Sequence, residues 1–504
     1  MDTDRILFQK YKDRIITAAQ AASLFKDKMT IGSSGFTKAG DSKAVLPAFA
    51  TRAAHEDIAI TLITGASLGH TTDSDLAEAN ALYKRMPFQV DPVLRKKINE
   101  GDIFFIDQHL SETAELLNNN HLPKMDLAII EAVGVDENGN IIPTTSIGNS
   151  ASFAKLAEKV IIEINTSIPH NFSGIHDIFI PNNYPNRDIL PITEVGTRIG
   201  KQHIEINPEK VVGIVFTELP DSPAQVTSPD EKTTAIANHL ISFFEEEVKS
   251  GRLTNSLLPL QAGIGKVANA VLSGFSKGNF ENLTMYSEVL QDSTFELIDS
   301  GKMVFASASS ITVSKSCYNQ LLKNFDNYKE KILLRPQNIS NSPEVIRRLG
   351  VIAINTAIEF DIYGNVNSTH IAGTKMMNGI GGSGDFARNA YLSIFVTPSV
   401  SKENNTISHV LPMISHTDHT EHDVDILVTE QGLADLRGLA PRERAKVIIE
   451  NCVHPDYKEA LGNYFERACI LGGHTPHVLE EALSWHISYQ KSGTMKQPSP
   501  VTHS

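Results

Sequence analysis

The same order of elements occurs twice in this chain and determines its fold class. Residues 29–54 contain a short apolar strand, a loop of small residues and a helical segment, and residues 257–275 repeat that order. Elsewhere, apolar runs of strand length alternate with helical segments. Strands and helices alternating at this spacing are typical of βαβ units. We therefore predict an α/β protein with open, mostly parallel sheets and flanking helices.

Further matches extend this repeat. Residues 282–288 align with residues 59–65 when Thr284 is placed on Thr61, which puts Glu288 on Gly65. Additional similarities relate residues 360–365 to 135–140 and residues 425–430 to 159–163. Self-similarity along a chain indicates duplicated structural units. We therefore expect two copies of one α/β unit.

The domain boundary is predicted from length and local composition. A chain of 504 residues is too long for one hydrophobic core. The stretch 217–232 is rich in Pro, Ser and acidic residues, as interdomain linkers are. We expect an N-terminal domain over residues 1–220 and a C-terminal domain over residues 221–504, the latter ending in a helical extension at 441–490.

Charge and cysteine content exclude several classes of protein. A net charge of −14 argues against nucleic-acid binding. Cys317, Cys452 and Cys469 are far apart and form no CxxC motif, which indicates a reducing compartment and no structural zinc. No apolar run is long enough to cross a bilayer, and the first residues lack a secretory h-region. We expect a cytoplasmic protein with no membrane contact.

Glu288 is the strongest candidate for a catalytic residue. The apolar run 283–286 reads as a short buried strand, and Glu288 follows where that strand ends. Ligands bind at the carboxyl ends of strands in α/β folds. Glu430 also follows a predicted strand and could act as a second carboxylate. We interpret Glu288 as a nucleophile.

Two glycine-rich stretches accompany Glu288, at 261–265 and 378–384. The second contains the GxGxxG spacing, at Gly379, Gly381 and Gly384. A dinucleotide site requires this spacing directly after a strand, and residues 375–378 are not a convincing strand. The glycines instead suit a loop whose N–H groups stabilise a developing oxyanion.

The segment 416–423 has the composition of a metal site. His416, His419 and His422 recur every three residues, but there is no HExxH motif. We interpret the segment as a solvated polar loop and expect no metal.

Six motifs together resemble one known family, the acetyl-CoA hydrolase/transferase family of CoA-transferases. They are MYSEVLQD, LPLQAGIGKVANA, SNSPEVIRRLG, DIYGNVNSTH, MNGIGGSGDFARNA and VTEQGLADLRGL. The resemblance extends from about residue 15 to about residue 490. It implies two related CoA-transferase-type α/β domains in tandem, assembled as a homodimer.

The resemblance also implies roles for individual residues. Glu288 matches the glutamate that forms a glutamyl-CoA thioester, Gly382 and Ile264 match the N–H donors of oxyanion holes, and Asn341 and Glu430 match an active-site amide and a second carboxylate. The positions that match CoA contacts are Gln261, Ala262, Gly263, Ile264, Gly265, Ile358, Asn378, Gly382 and Lys402.

The implied reaction is ping-pong transfer of CoA between an acyl-CoA and a short-chain carboxylate, with CoA as a substrate and no tightly bound cofactor. Succinyl-CoA with acetate is the expected pair, and acetyl-CoA hydrolysis or transfer to propionate or another short acid are alternatives. Because the nucleophile must be ionised, we expect hydrogen bonds from Asn341 or nearby N–H groups to keep the pKa of Glu288 low. A nicotinamide oxidoreductase and a non-catalytic CoA-binding protein are the competing classes.

Overall fold

Seven strands from the first half of the chain form one parallel sheet. The structure is a computed structural model that describes residues 2–225, 228–401 and 404–496. The strands are β1 (Thr30–Ser33), β2 (Ile60–Ile63), β3 (Leu82–Met86), β4 (Phe104–Phe105), β5 (Leu127–Ala132), β6 (Lys159–Asn165) and β7 (Val211–Thr217). They lie in the order β4-β3-β2-β1-β5-β6-β7. Most of their side chains are buried outside the edge strand β4, as expected for a parallel sheet covered on both faces.

Eight strands from the second half form the other sheet. They are β8 (Leu260–Ala262), β9 (Leu283–Tyr286), β10 (Met303–Ala308), β11 (Ile332–Leu334), β12 (Ile352–Thr356), β13 (Leu392–Val396), β14 (Ile426–Thr429) and β15 (Gly432–Asp435). Their order is β11-β10-β9-β8-β12-β13-β14-β15. Only β15 runs antiparallel to its neighbour, β14.

The first seven strands of the second sheet have the same order as the strands of the first. This agreement confirms the predicted fold class of two related, mostly parallel α/β domains. The turns at Asp136 and Asp361 also match, since each carboxylate accepts the N–H groups two and four residues later. The proposed similarity of 425–430 to 159–163 is wrong, because β6 corresponds in position to β13. Buried parallel strands are all runs of Val, Ile and Leu, so sequence alone does not distinguish them.

Helices cover both sheets and form the predicted C-terminal extension. The α-helices are Ala18–Ala22, Val45–Ala53, Thr72–Glu78, Pro92–Glu100, Thr113–Asn118, Ser150–Leu156, Glu231–Lys249, Lys266–Phe275, Asp292–Asp299, Lys315–Lys323, Phe325–Tyr328, Gln337–Ser340, Pro343–Leu349, Ser383–Ala387, Pro441–Cys452, Pro455–Leu471 and Ser484–Ser492. Among the residues described, no helix is both long and apolar enough to cross a membrane.

The segment after β7 connects the two halves. Buried Lys43 pairs with Asp221 at 2.9 Å, and the Ala224 N–H donates to the Val313 carbonyl at 2.9 Å. Asp221 therefore attaches the segment to the first half, and Ala224 attaches it to the second half. The domain boundary at residues 220/221 stays a prediction.

Candidate active site

Glu288 lies two residues beyond the end of β9, at the carboxyl edge of the second sheet. Its backbone carbonyl accepts the N–H groups of Ser309 and Ser310, at 2.8 and 3.1 Å. Its side chain lies against Gly382, whose N–H donates to the carboxylate. A Cβ at position 382 would collide with Glu288 Oε1 and Asn341 Oδ1, so only glycine fits there.

The protonation state of Glu288 differs from our expectation. Burial, assisted by the negative charge of Asp385, raises its pKa to about 8, and the Gly382 hydrogen bond opposes this only in part. The expected hydrogen bond from Asn341 is absent. The Asn341 Nδ2–H donates to the Gln337 carbonyl at 3.0 Å, and Oδ1 is turned towards Glu288 with no hydrogen-bond partner among the described residues.

Glu288 opens into a cavity of about 470 Å³ between the two halves of the chain. The wall from the second half, which we name the C-wall, contains residues 263–265, Ile358 and residues 378–383 of the glycine-rich stretch 378–384, which we name the glycine loop. The wall from the first half, which we name the N-wall, contains residues 36–38 and 66–67, Phe88 and Leu110. Ala224 and Gln225 of the connecting segment complete the lining.

An apolar patch lies beside the carboxylate. Phe36, Ala66, Leu110 and Val289 pack together, with partly buried Phe88 against them, and all five residues line the cavity. Val289 follows Glu288 directly in the chain. The patch therefore places an apolar surface beside Glu288, of the kind that lines small-molecule sites.

Hydrogen bonds attach the glycine loop and the helix that follows it to the first half of the chain. The Ile380 N–H donates to Asp107 Oδ1 at 2.8 Å, and the Ser111 hydroxyl and N–H donate to Asp385 at 2.6 and 3.1 Å. Burial is the main cause that raises the pKa values of Asp107 and Asp385, each to about 7. The position of the Gly382 N–H thus depends on contacts between the halves.

Most of the residues expected to contact CoA line this cavity. Gly263, Ile264, Gly265, Ile358, Asn378 and Gly382 are among its lining residues. Gln261 and Ala262 are instead buried in β8, and the Gln261 amide pairs with that of Asn355, a lining residue, at 3.1 Å. The two residues are thus placed to support the wall. Lys402 lies outside the described residues.

Glu430 is placed away from the lining of the cavity. Its carboxylate accepts the Ser399 N–H and hydroxyl, both at 2.7 Å, and lies 3.8 Å from the Lys232 ammonium. Burial raises its pKa, but the Ser399 hydrogen bonds and the Lys232 charge outweigh burial, so the pKa lies below its ordinary value. Glu430 therefore holds the loop at Ser399 in this structure.

The histidine-rich segment supports the glycine loop. Burial lowers the pKa of His419 to about 4, and its Nε2 lies 3.1 Å from the Ser383 hydroxyl. His416 contacts Asp418 at 3.2 Å. Within the described ranges, no group of His, Cys, Asp and Glu side chains has the geometry of a metal site.

The glycine loop also lacks the context of a dinucleotide site. Lys375–Met376 pairs with His370–Ile371 in a two-stranded hairpin outside both large sheets. A parallel strand leading directly into the glycines, as the dinucleotide fingerprint requires, is therefore missing at this position.

Neither the N-wall nor Asp385 is among the site residues predicted from the sequence. The small residues of 32–36 permit a close approach of the backbone, but they do not predict that Phe36 and Lys38 line the cavity of Glu288. Asp385 lies only three residues after Gly382 in a recognised motif, which was an available signal.

This chain is similar to known proteins over nearly its whole length. Models described as the acetyl-CoA hydrolase/transferase N-terminal and C-terminal domains match residues 2–216 and 317–465. Succinyl-CoA:acetate CoA-transferase of Clostridium kluyveri is 50% identical, covering 98% of this chain and 92% of that protein. Acetyl-CoA hydrolase of Candida albicans is 44% identical, covering 98% of each. The crystal structure of RipA from Yersinia pestis shares the fold, with a TM-score of 0.72 and 22% identity over 92% of this chain and 99% of that chain.

Proposed function

Because this chain belongs to the acetyl-CoA hydrolase/transferase family, we propose that it transfers CoA between an acyl-CoA and a free carboxylate, with succinyl-CoA and acetate as the preferred pair. One observation carries the proposal: the Glu288 carboxylate contacts the Gly382 N–H inside a cavity shared by both halves of the chain. The similarity to the Clostridium kluyveri enzyme supports the choice of substrates.

A carboxylate nucleophile conserves the energy of the thioester. Glu288 attacks the acyl-CoA carbonyl carbon, and the C–S bond breaks to give a mixed anhydride and CoA thiolate. The thiolate then attacks the Glu288 side-chain carbonyl, which releases the first carboxylate and leaves a glutamyl-CoA thioester. The second carboxylate reverses these steps, so the overall exchange is ping-pong.

Each attack creates an oxyanion, and the two oxyanions are on different carbonyl groups. The Gly382 N–H contacts the Glu288 side chain and so stabilises the oxyanion that forms on Glu288. Ile264 lies on the C-wall, and its N–H serves the oxyanion on the substrate. Donors of this kind contribute about 10²–10³ in rate.

The proton on Glu288 controls its reactivity. With a pKa of about 8, roughly a tenth of the carboxylate is ionised at pH 7 in the empty enzyme. A raised pKa also makes the ionised form a stronger nucleophile. We therefore expect kcat/KM to rise with pH up to about 8.

Intact-mass analysis tests the covalent intermediate. The protein is mixed with acetyl-CoA without acceptor acid, and we expect the mass of one CoA minus one water to be added. Glu288→Gln is the variant that should not gain this mass. An adduct of equal yield on Glu288→Gln would contradict the role of Glu288.

Hydrolysis of acetyl-CoA is the second candidate, and the similarity to the Candida albicans acetyl-CoA hydrolase favours it. Release of free CoA is followed with acetyl-CoA alone and with added succinate or propionate. A transferase forms a new acyl-CoA only when acid is added, whereas a hydrolase consumes acetyl-CoA at the same rate without acid.

Two further properties are proposed on the resemblance and composition alone. They are assembly as a homodimer, which light scattering after gel filtration tests, and a cytoplasmic location, which cell fractionation tests.

A further inference from the structure

A strained turn, residues 36–39, lies on the N-wall. The Phe36 N–H donates to the Ala39 carbonyl at 3.0 Å, and the Ala39 N–H donates back to the Phe36 carbonyl at 3.2 Å. The two residues between them, Thr37 and Lys38, have φ angles of 52° and 67°. A turn with two such angles favours Asn and Gly, and neither is present here. Backbone strain of this kind persists where surrounding contacts hold it, and it clusters at binding sites.

Two contacts hold this turn on the cavity. The Thr312 hydroxyl donates to the Thr37 carbonyl at 2.8 Å, and the Lys38 N–H donates to the Ser67 carbonyl at 3.0 Å. Thr312 belongs to the second half of the chain, and both Thr312 and Ser67 line the cavity. The position of Lys38 is therefore set by both halves.

Lys38 is the single basic residue among the described residues that line the cavity. It is exposed, and no carboxylate in the described part of the chain lies within 4.0 Å of its ammonium group. Asp292, the other lining acid besides Glu288, already accepts the Ser314 N–H at 2.8 Å. Lys38 thus offers an unpaired positive charge to a cavity proposed to bind anions.

The position of Lys38 relative to the two walls indicates what it binds. The residues expected to contact CoA are on the C-wall, whereas Lys38 is on the N-wall, two residues after Phe36 of the apolar patch. Lys38 and most of the patch thus belong to one wall of the cavity that contains Glu288. Of a two-carbon acyl group and a four-carbon diacid, only the diacid carries a second carboxylate for Lys38 to pair with.

We propose that Lys38 is a specificity-determining residue that binds the distal carboxylate of a dicarboxylic acyl group such as succinyl. This inference rests on the proposed function. It explains how one cavity accepts both a short apolar acid and a diacid, since the patch holds the hydrocarbon part common to both and Lys38 pairs with the charge found only in the diacid.

Steady-state kinetics with three variants test the proposal. Lys38→Gln removes the charge, Lys38→Arg keeps it, and Lys28→Gln is a matched control. Lys28 is also a lysine with a left-handed backbone, with a φ of 65°, but its side chain is 88% exposed and lies outside the lining of the cavity. Each protein is assayed with acetyl-CoA and increasing succinate, and with acetyl-CoA and increasing propionate. The KM values for acetyl-CoA and for succinyl-CoA are measured in two further series at fixed acid.

We expect Lys38→Gln to raise the KM for succinate by about 10- to 100-fold, as for the loss of one charge-assisted hydrogen bond, and to leave the KM for propionate within about twofold. Lys38→Arg should recover most of the affinity for succinate.

Unchanged succinate kinetics in Lys38→Gln would overturn the proposal. An equal rise in the KM for acetyl-CoA and for succinyl-CoA would also overturn it, because Lys38 would then contact a phosphate of CoA. If the unmodified protein shows no acid-dependent exchange with any acid, the proposed function itself fails.

Discussion

Replacing Glu288 by glutamine should stabilise the folded protein by an amount that grows with pH. The pKa of Glu288 is about 8 in the folded protein, against an ordinary value of 4.5. Between these two values the unfolded chain has lost the proton that the folded protein keeps. The stability of the unmodified protein therefore falls as pH rises through this window, and the loss levels off above pH 8. Below about pH 4 both states are protonated and the effect vanishes.

The magnitude follows from the size of this pKa shift. Each pH unit in the window costs about 1.4 kcal/mol, so the ceiling is about 3 kcal/mol at pH 7 and about 5 kcal/mol above pH 8. Part of the carboxylate faces the open cavity, and solvent screening reduces the figure at pH 7 to about 1–3 kcal/mol. Glutamine keeps an oxygen for the Gly382 N–H, and its amide can donate to Asn341 Oδ1, which has no donor now.

Thermal unfolding at pH 5, 6, 7 and 8 measures the effect. We compare the unmodified protein, Glu288→Gln and Glu281→Gln, a control at an exposed position just before β9. Glu288→Gln should show little gain in Tm at pH 5 and several degrees at pH 8, since about 1 kcal/mol corresponds to roughly 2–4 °C. A gain that is the same at every pH, or a less stable Glu288→Gln at pH 8, would refute the reasoning, because Glu288 would then be ionised with a low pKa when folded.

Three further predictions concern the glycine loop. Gly382→Ala should lower kcat by about 10²–10³, because its Cβ displaces the carboxylate; a change confined to KM would contradict this. Asp385→Asn should shift the pH midpoint of kcat/KM to lower pH, since the Asp385 charge helps to raise the pKa of Glu288; an unmoved midpoint would exclude that coupling. Asp107→Ala should lower kcat about tenfold through loss of the Ile380 hydrogen bond, while Asp107→Asn, which keeps an oxygen acceptor, should retain most activity. Equal losses in the two Asp107 variants would show that the hydrogen bond is not the cause.

The position of Glu288 is predictable from sequence because it depends on local signals. The apolar run 283–286 is observed as strand β9 with the predicted bounds, and a residue following such a strand lies at the ligand-binding edge. The duplicated order of strands is predictable for the same reason, since each strand and loop repeats locally. The match proposed for residues 425–430 was wrong, because buried strands share the same apolar composition and sequence alone does not pair them correctly.

The remaining features depend on how the two halves dock. Lys38 and Leu110 reach the cavity only through contacts that no local pattern encodes. The pKa of Glu288 depends on burial by both halves and on the orientation of the Asn341 amide. Glu430 also follows a strand, as predicted, but its partners Ser399 and Lys232 come from distant segments. A carboxylate that follows a strand is therefore a candidate site residue, but its position in the sequence does not show whether it lines the cavity.

The duplicated unit has diverged into two specialised halves, and Gly65 shows how. Gly65 corresponds to Glu288, but a Cβ there would lie 2.6 Å from the Gly35 carbonyl oxygen and 2.8 Å from Gln337 Oε1. A side chain at position 65 of the first copy would thus disrupt the contacts that let this copy cover Glu288 of the second. In the proposed function, the second copy supplies the nucleophile and the first copy covers it. The proposed mechanism therefore predicts that covalent labelling reaches at most one CoA per polypeptide, although the chain contains the α/β unit twice.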